Sequence, residues 1–92
     1  MNKGELVSAV AEKAGLSKGD AARAIEATLD VIAQALRRGD EVKLIGFGSF
    51  LVSERSAGEA RNPRTGERVM VAAQKAPKFR AGALLRSAVN SQ

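Results

Sequence analysis

Residues 53–68 contain no Val, Ile, Leu, Met or Phe. A stretch of that length without a large apolar side chain cannot lie in a core, so the fold must let it project. At its centre stands Asn62-Pro63-Arg64-Thr65-Gly66. Asn first, Pro second and Gly soon after is type I turn chemistry, as in a four- or five-residue hairpin loop. Beyond it, Arg68, Val69, Met70, Val71 and Ala72 can return as a strand. The expected form is a two-stranded arm over about residues 53–76 with an arginine-rich tip. Isolated two-stranded hairpins are marginal in water, so the tip should be mobile until something holds it. The plain alternative is a solvated loop with no task. Loops beyond about 12–15 residues without structure of their own are uncommon and mostly functional or disordered, and the strand-like flanks argue against plain disorder.

The charge sits in the same place. The chain carries 15 Lys and Arg against 10 Asp and Glu. Residues 55–80 hold seven of the basic groups (Arg55, Arg61, Arg64, Arg68, Lys75, Lys78, Arg80) and only two acids, Glu59 and Glu67. The rest of the chain is balanced at eight of each sign. A positive excess confined to one projecting segment suggests a polyanionic partner, with nucleic acid ahead of an anionic membrane surface.

The remainder must fold with little material. Of 92 residues, 17 are alanine and only 24 are Val, Ile, Leu, Met or Phe. A monomer with so thin a core is marginal, and chains of this size gain stability from disulfides, metals or oligomerisation. There is no cysteine and no histidine. That removes disulfides, zinc-finger sites, cysteine nucleophiles and histidine acid–base catalysis. Oligomerisation remains, so at least a dimer is expected, with no metal and no cofactor. The longest apolar run is Val69 to Ala73, far short of the roughly 20 residues of a membrane span. With no signal-like segment, the expected location is the cytoplasm.

Along the chain, Asn2 can cap a first helix with Glu5 at its third position, as in a capping box. Leu6, Val7, Val10, Ala11 and Ala14 follow at helical spacing, and Gly15 stops them. Ser17 with Asp20 resembles a second N-cap. Ala21, Ala24, Ile25, Thr28, Leu29, Ile32, Ala35 and Leu36 then form one stripe, ending at Arg37, Arg38 and Gly39. Two helices joined by a glycine-containing link look like a helix-turn-helix. The alternative is an ordinary pair of packed helices, favoured because the second helix has balanced charge and no basic reading face. From Glu41 the period becomes two. Val42 to Ile45 reads as a strand, Gly46-Phe47-Gly48 as a tight turn, and Ser49 to Glu54 as a second strand. The only aromatics are Phe47, Phe50 and Phe79. They read as core rather than as a base-stacking platform, because Phe47 and Phe50 lack basic neighbours. With Leu29, Ile32, Leu36 and Leu44 they are the candidate dimer core. Pro77 should end the returning strand or sit at a sheet edge. Ala81 to Val89 reads as a short last helix. One domain over 1–92 follows, divided into a helical base (1–40), a sheet with its arm (41–80) and a C-terminal helix (81–92).

A ribbon carrying arginines can follow the narrow, negative minor groove of A·T-rich DNA. A proline at its tip can wedge open a base step and kink the duplex. Little in the segment is suited to reading bases, Asn62 and Gln74 being weak candidates, so binding should rest on phosphates and deformability rather than sequence.

Gly46-Phe47-Gly48-Ser49-Phe50, Arg61-Asn62-Pro63-Arg64-Thr65-Gly66 and Pro77-Lys78-Phe79-Arg80-Ala81-Gly82 resemble the bacterial histone-like HU family, related to integration host factor. Met1-Asn2-Lys3 and Ala14-Gly15-Leu16-Ser17-Lys18 are similar too, so the resemblance spans essentially the whole chain. It implies an α+β fold as an intertwined dimer: a helical base, a three-stranded saddle per chain, and long β-ribbon arms that wrap DNA. It implies that Pro63 intercalates, Arg61 follows the minor groove and Arg55 grips phosphate near the arm root. Asn62, Arg64, Arg68 and Lys75 complete the arm, while Lys3, Lys78, Arg80 and Arg86 meet DNA backbone on the body. The implied role is nucleoid-associated bending and compaction of double-stranded DNA with little sequence specificity. Gly58, Glu59, Ala60 and Ala83 depart from the family pattern, removing positive charge and adding one negative.

Two other readings stand beside it. One is a sequence-preferring bending factor like integration host factor, or an RNA binder on the same fold. The other is an enzyme, for which only scattered acids, Ser, Thr, Lys and Arg are available, with no phosphate loop of the G-x-x-x-x-G-K type. A membrane-surface role lacks a basic amphipathic helix with large apolar anchors.

Overall fold

The computed structural model describes residues 1–55 and 58–91. The chain divides into two units, Met1–Ala35 and Leu36–Gln92.

The first unit is helical. Helix α1 spans Lys3–Ala14 and helix α2 starts at Lys18, running on to Arg37. Asn2 caps α1, its Oδ1 accepting the Glu5 N–H at 2.8 Å, and the Ser17 hydroxyl accepts the Asp20 N–H at 3.1 Å to start α2. Both bonds satisfy backbone donors that a helix N-terminus leaves unpaired. At its far end α2 closes with the Gly39 N–H on the Leu36 carbonyl at 3.0 Å. Lys3 Nζ and Glu26 lie 3.2 Å apart, tying the start of α1 to the middle of α2.

The second unit is built on an antiparallel sheet. Strand β1 (Val42–Leu44) pairs with β2 (Gly48–Arg55), and β2 pairs with β5 (Gln74–Ala81), in the order β1-β2-β5. Ile45 is not the end of the first strand, as its apolar character suggested. It stands in the turn, 98% exposed, because the Phe47 N–H bonds the Leu44 carbonyl at 2.9 Å and Gly46 takes φ +86°. That left-handed conformation suits glycine at the third position of a type II turn. Gly48 meets a different demand: a Cβ there would lie 2.6 Å from both the Arg80 carbonyl oxygen and the Phe79 ring.

The returning chain differs from the single strand expected. It forms β4 (Arg68–Val71), leaves the ladder at Ala72 and Ala73, and re-enters as β5. Pro77 does not end that strand. It pairs with Val52 inside β5, which is an edge of this sheet, where an absent N–H breaks no ladder. Strand β3 (Gly58–Arg61) pairs with β4 as a separate two-stranded ribbon. Of the arm expected over about 53–76, Ser56 and Ala57 lie outside the described residues. Helix α3 (Ala83–Val89) follows, with Gly82 at its N-cap.

Among the described residues, the buried apolar side chains are three alanines, Ala11, Ala21 and Ala35. Phe47 and Phe79 remain 47% and 43% exposed and Leu29 54%. Leu44 is also exposed, and Ile32, Leu36 and Phe50 are half-buried. One copy of this chain does not close its own core.

Candidate nucleic-acid interface

The tip is a defined turn. The β3–β4 ladder ends with Arg61 opposite Arg68. Past that rung, the Asn62 N–H bonds the Glu67 carbonyl and the Gly66 N–H bonds the Asn62 carbonyl, both at 2.8 Å. Asn62 Oδ1 accepts the Arg64 N–H at 2.9 Å, and Thr65 Oγ1 accepts the Glu67 N–H at 3.3 Å. Residues 63–66 are thus the loop, within the four- to five-residue range expected. Asn62, expected to open the turn and also a weak candidate for reading bases, uses its side-chain oxygen to shape the turn. Pro63 and Arg64 stand exposed at the apex. Arg61 and Arg68 share a rung, where like charges repel. The tip therefore carries cations on its last rung and an exposed proline at its apex.

The sheet at the arm root has two unlike faces, fixed by register because directly paired residues share a face. Val42, Phe50 and Phe79 form one row, Leu44, Gly48 and Ala81 the next. The Phe79 ring lies 4.9 Å from Phe50 and 5.5 Å from Phe47, centroid to centroid. On the other face Lys43, Ser49 and Arg80 form a row across all three strands, and Leu51 with Lys78 forms the next. Lys43, Lys78 and Arg80 are exposed.

The remaining candidates are spread out. Arg55 ends β2 opposite Gln74. Lys75 pairs with Glu54 on the phenylalanine side of the sheet, their charged atoms 3.9 Å apart. Lys3 belongs to the helical unit and is held by Glu26. Arg86 is exposed on α3. Lys43, absent from the candidates named from sequence, takes its face from the register that pairs it with Ser49. Of the departing positions, Gly58 opens β3 opposite Val71, with nothing within 4 Å of an added Cβ. Glu59 lies opposite Met70 and Ala60 opposite Val69.

An antiparallel sheet with one basic face, extended by an arginine-tipped ribbon and joined to a helical unit, defines an α+β protein of the β-ribbon type. Residues 1–90 match the profile of the family described as "Bacterial DNA-binding protein". The chain is 55% identical over 89 residues to DNA-binding protein HU of Geobacillus stearothermophilus, covering 97% of this chain and 99% of that one. It is 55% identical over 91 residues to DNA-binding protein HRL18 of Rhizobium leguminosarum, covering 99% and 100%. Among solved structures it is similar to Anabaena HU in a cocrystal with DNA, at TM-score 0.85 and 49% identity over the whole of both chains. The chain belongs to the bacterial DNA-binding protein family of HU type. That is a family of DNA-binding proteins and not of enzymes.

Proposed function

We propose that this protein is an architectural, histone-like protein that binds double-stranded DNA with little sequence specificity, and that bends and compacts it. The observation that carries the reading is the arm tip, where the Arg61–Arg68 rung runs into a turn that lifts Pro63 and Arg64 to the apex. Arg61, Arg64 and Arg68 follow the minor groove, Asn62 holds the turn, and Pro63 enters a base step. Arg55 and Lys75 serve at the arm root. Lys3, Lys78, Arg80 and Arg86 meet the backbone on the body. Neutralised phosphates supply the affinity and duplex deformability the preference.

The working form is a dimer. Phe47, Phe50, Phe79, Leu29, Ile32, Leu36 and Leu44 are covered by a second copy, because a single chain leaves them exposed or half-exposed. The place of action is the bacterial cytoplasm, on the nucleoid.

Pro63→Ala tests the tip. The turn survives, since its hydrogen bonds come from Asn62, Thr65 and Gly66, but the wedge is lost. Holding one step unstacked is worth about a few kcal/mol, offset by wrapped contacts. Energy transfer across end-labelled DNA should therefore show bending reduced more than affinity. A mutant that bends as sharply as the parent would make Pro63 a turn residue only.

A further inference from the structure

Within the sheet and arm, the proposed site residues follow the long axis of the arm and the β5 edge. Register adds a direction across the sheet. Lys43 on β1, Ser49 on β2 and Arg80 on β5 are paired in one row. Neighbouring strands lie about 4.8 Å apart, so Lys43 and Arg80 are separated by about 10 Å at the backbone. Lys78 lies two residues from Arg80 on the same face, about 7 Å along β5. Duplex DNA carries one phosphate per about 1.7 Å of axis, both strands counted, so three long cationic side chains spread over about 7–10 Å can reach more than one phosphate. All three are exposed, and among the described residues none of them forms an ion pair. Between Lys43 and Arg80 stands Ser49, a small hydroxyl donor that leaves room for a backbone to lie across the strands, while Leu51 flanks Lys78 in the next row. The opposite face cannot take this part, since Val42, Phe50 and Phe79 occupy its equivalent row.

We infer that Lys43 is a phosphate-binding residue, and that with Ser49, Arg80 and Lys78 it forms a cationic row across the sheet that carries the DNA backbone from β5 to β1. The inference rests on the DNA-binding reading above and adds to it a contact on the strand farthest from β5.

Lys43→Gln tests it in the full-length protein. Binding to an intact duplex is titrated from 50 to 200 mM salt, with Lys13→Gln as a control of equal charge change on an exposed helical position. Each lost phosphate contact lowers the magnitude of the log–log salt slope by about 0.9, so a dimer should lose up to about 1.8. The parent's advantage over Lys43→Gln should then shrink about 12-fold across that range. Lys13→Gln should keep the parent's slope, and both variants should keep its melting temperature. A Lys43→Gln slope equal to the parent's overturns the inference, as does an equal loss in Lys13→Gln, which would report net charge alone. A parent that does not bind DNA overturns the functional reading itself. A binding parent with an unaltered Lys43→Gln overturns only the row.

Discussion

The root of the arm and its distal ribbon are antiparallel ladders drawn from the same two runs of chain, yet different forces hold them. At the root, β2 and β5 pair over eight residues, from Gly48–Ala81 to Arg55–Gln74. There Phe50 packs on Phe79 across the strands and Gly48 lets the Phe79 ring and the Arg80 backbone come close. The distal ribbon pairs over four residues and ends on two arginines. Its exposed Val69 and Met70 have no aromatic opposite them, and the turn at 62–67 supplies its remaining order. The root is stabilised by apolar contact, which needs no ligand. A two-stranded ribbon without a packed face is marginal alone, so the distal part should gain order on a partner. Stability and the proposed binding thus fall to two successive ladders, and substitutions should separate them.

The largest separation comes from Phe79→Ala. Removing a core phenylalanine costs about 3–5 kcal/mol, and here it deletes the ring that touches both others. Denaturation should show a large drop in midpoint, and the parent's midpoint should rise with protein concentration because the core is completed by a second chain. Val69→Ser on the ribbon should leave the midpoint within about 0.5 kcal/mol. Comparable losses from the two would mean that the ribbon folds as part of the core.

A pair of glycines makes the next contrast. Gly48→Ala puts a methyl 2.6 Å from backbone and ring atoms, and overpacking of that kind costs about 1–3 kcal/mol. At Gly58, where an added Cβ meets nothing and φ is not positive, alanine should change global stability little. Equal melting curves for Gly48→Ala and the parent would show that the sheet can open to admit the methyl.

What was legible in the sequence divides along the same line. Local chemistry was readable: Asn2 and Ser17 as caps, the turn at Asn62–Gly66, the strand period after Glu41, and the concentration of charge in residues 55–80. These depend on a few adjacent residues. Pairing was less so. Pro77 reads as a strand end or an edge, and only the sheet order, with β5 outermost, decides for the edge. The break at Ala72–Ala73 has no signal, because alanine suits strand and coil about equally poorly as a marker. Ile45 reads as strand by its β-branched side chain, and the Leu44–Phe47 turn overrides it. Lys43 needed the register of a partner strand to acquire a face, since alternation alone does not say which parity it shares with Arg80. The incomplete core was legible from the count of 24 large apolar side chains, and the exposed phenylalanines are its structural form.

The smallest effect is also the finest test of the boundary between root and ribbon. Gly58 opens β3 just where the distal ladder begins, opposite Val71. Its surroundings leave space for a side chain and its backbone needs no left-handed conformation. Gly58→Arg should therefore add a cation without strain. One new phosphate contact per arm raises the salt slope by about 0.9, or up to about 1.8 for a dimer. Gly in a strand also carries an entropic cost of about 0.5–1 kcal/mol relative to Ala, so part of any gain would come from a stiffer ribbon. Gly58→Ala isolates that part: it should tighten binding slightly, by the same factor at low and high salt. Gly58→Arg should exceed it at 50 mM and approach it as salt rises, because screening removes the charge contribution but not the backbone one. Parallel salt dependences for the two variants would place position 58 away from phosphate, and the binding stretch of the ladder would then begin nearer the tip, at Arg61.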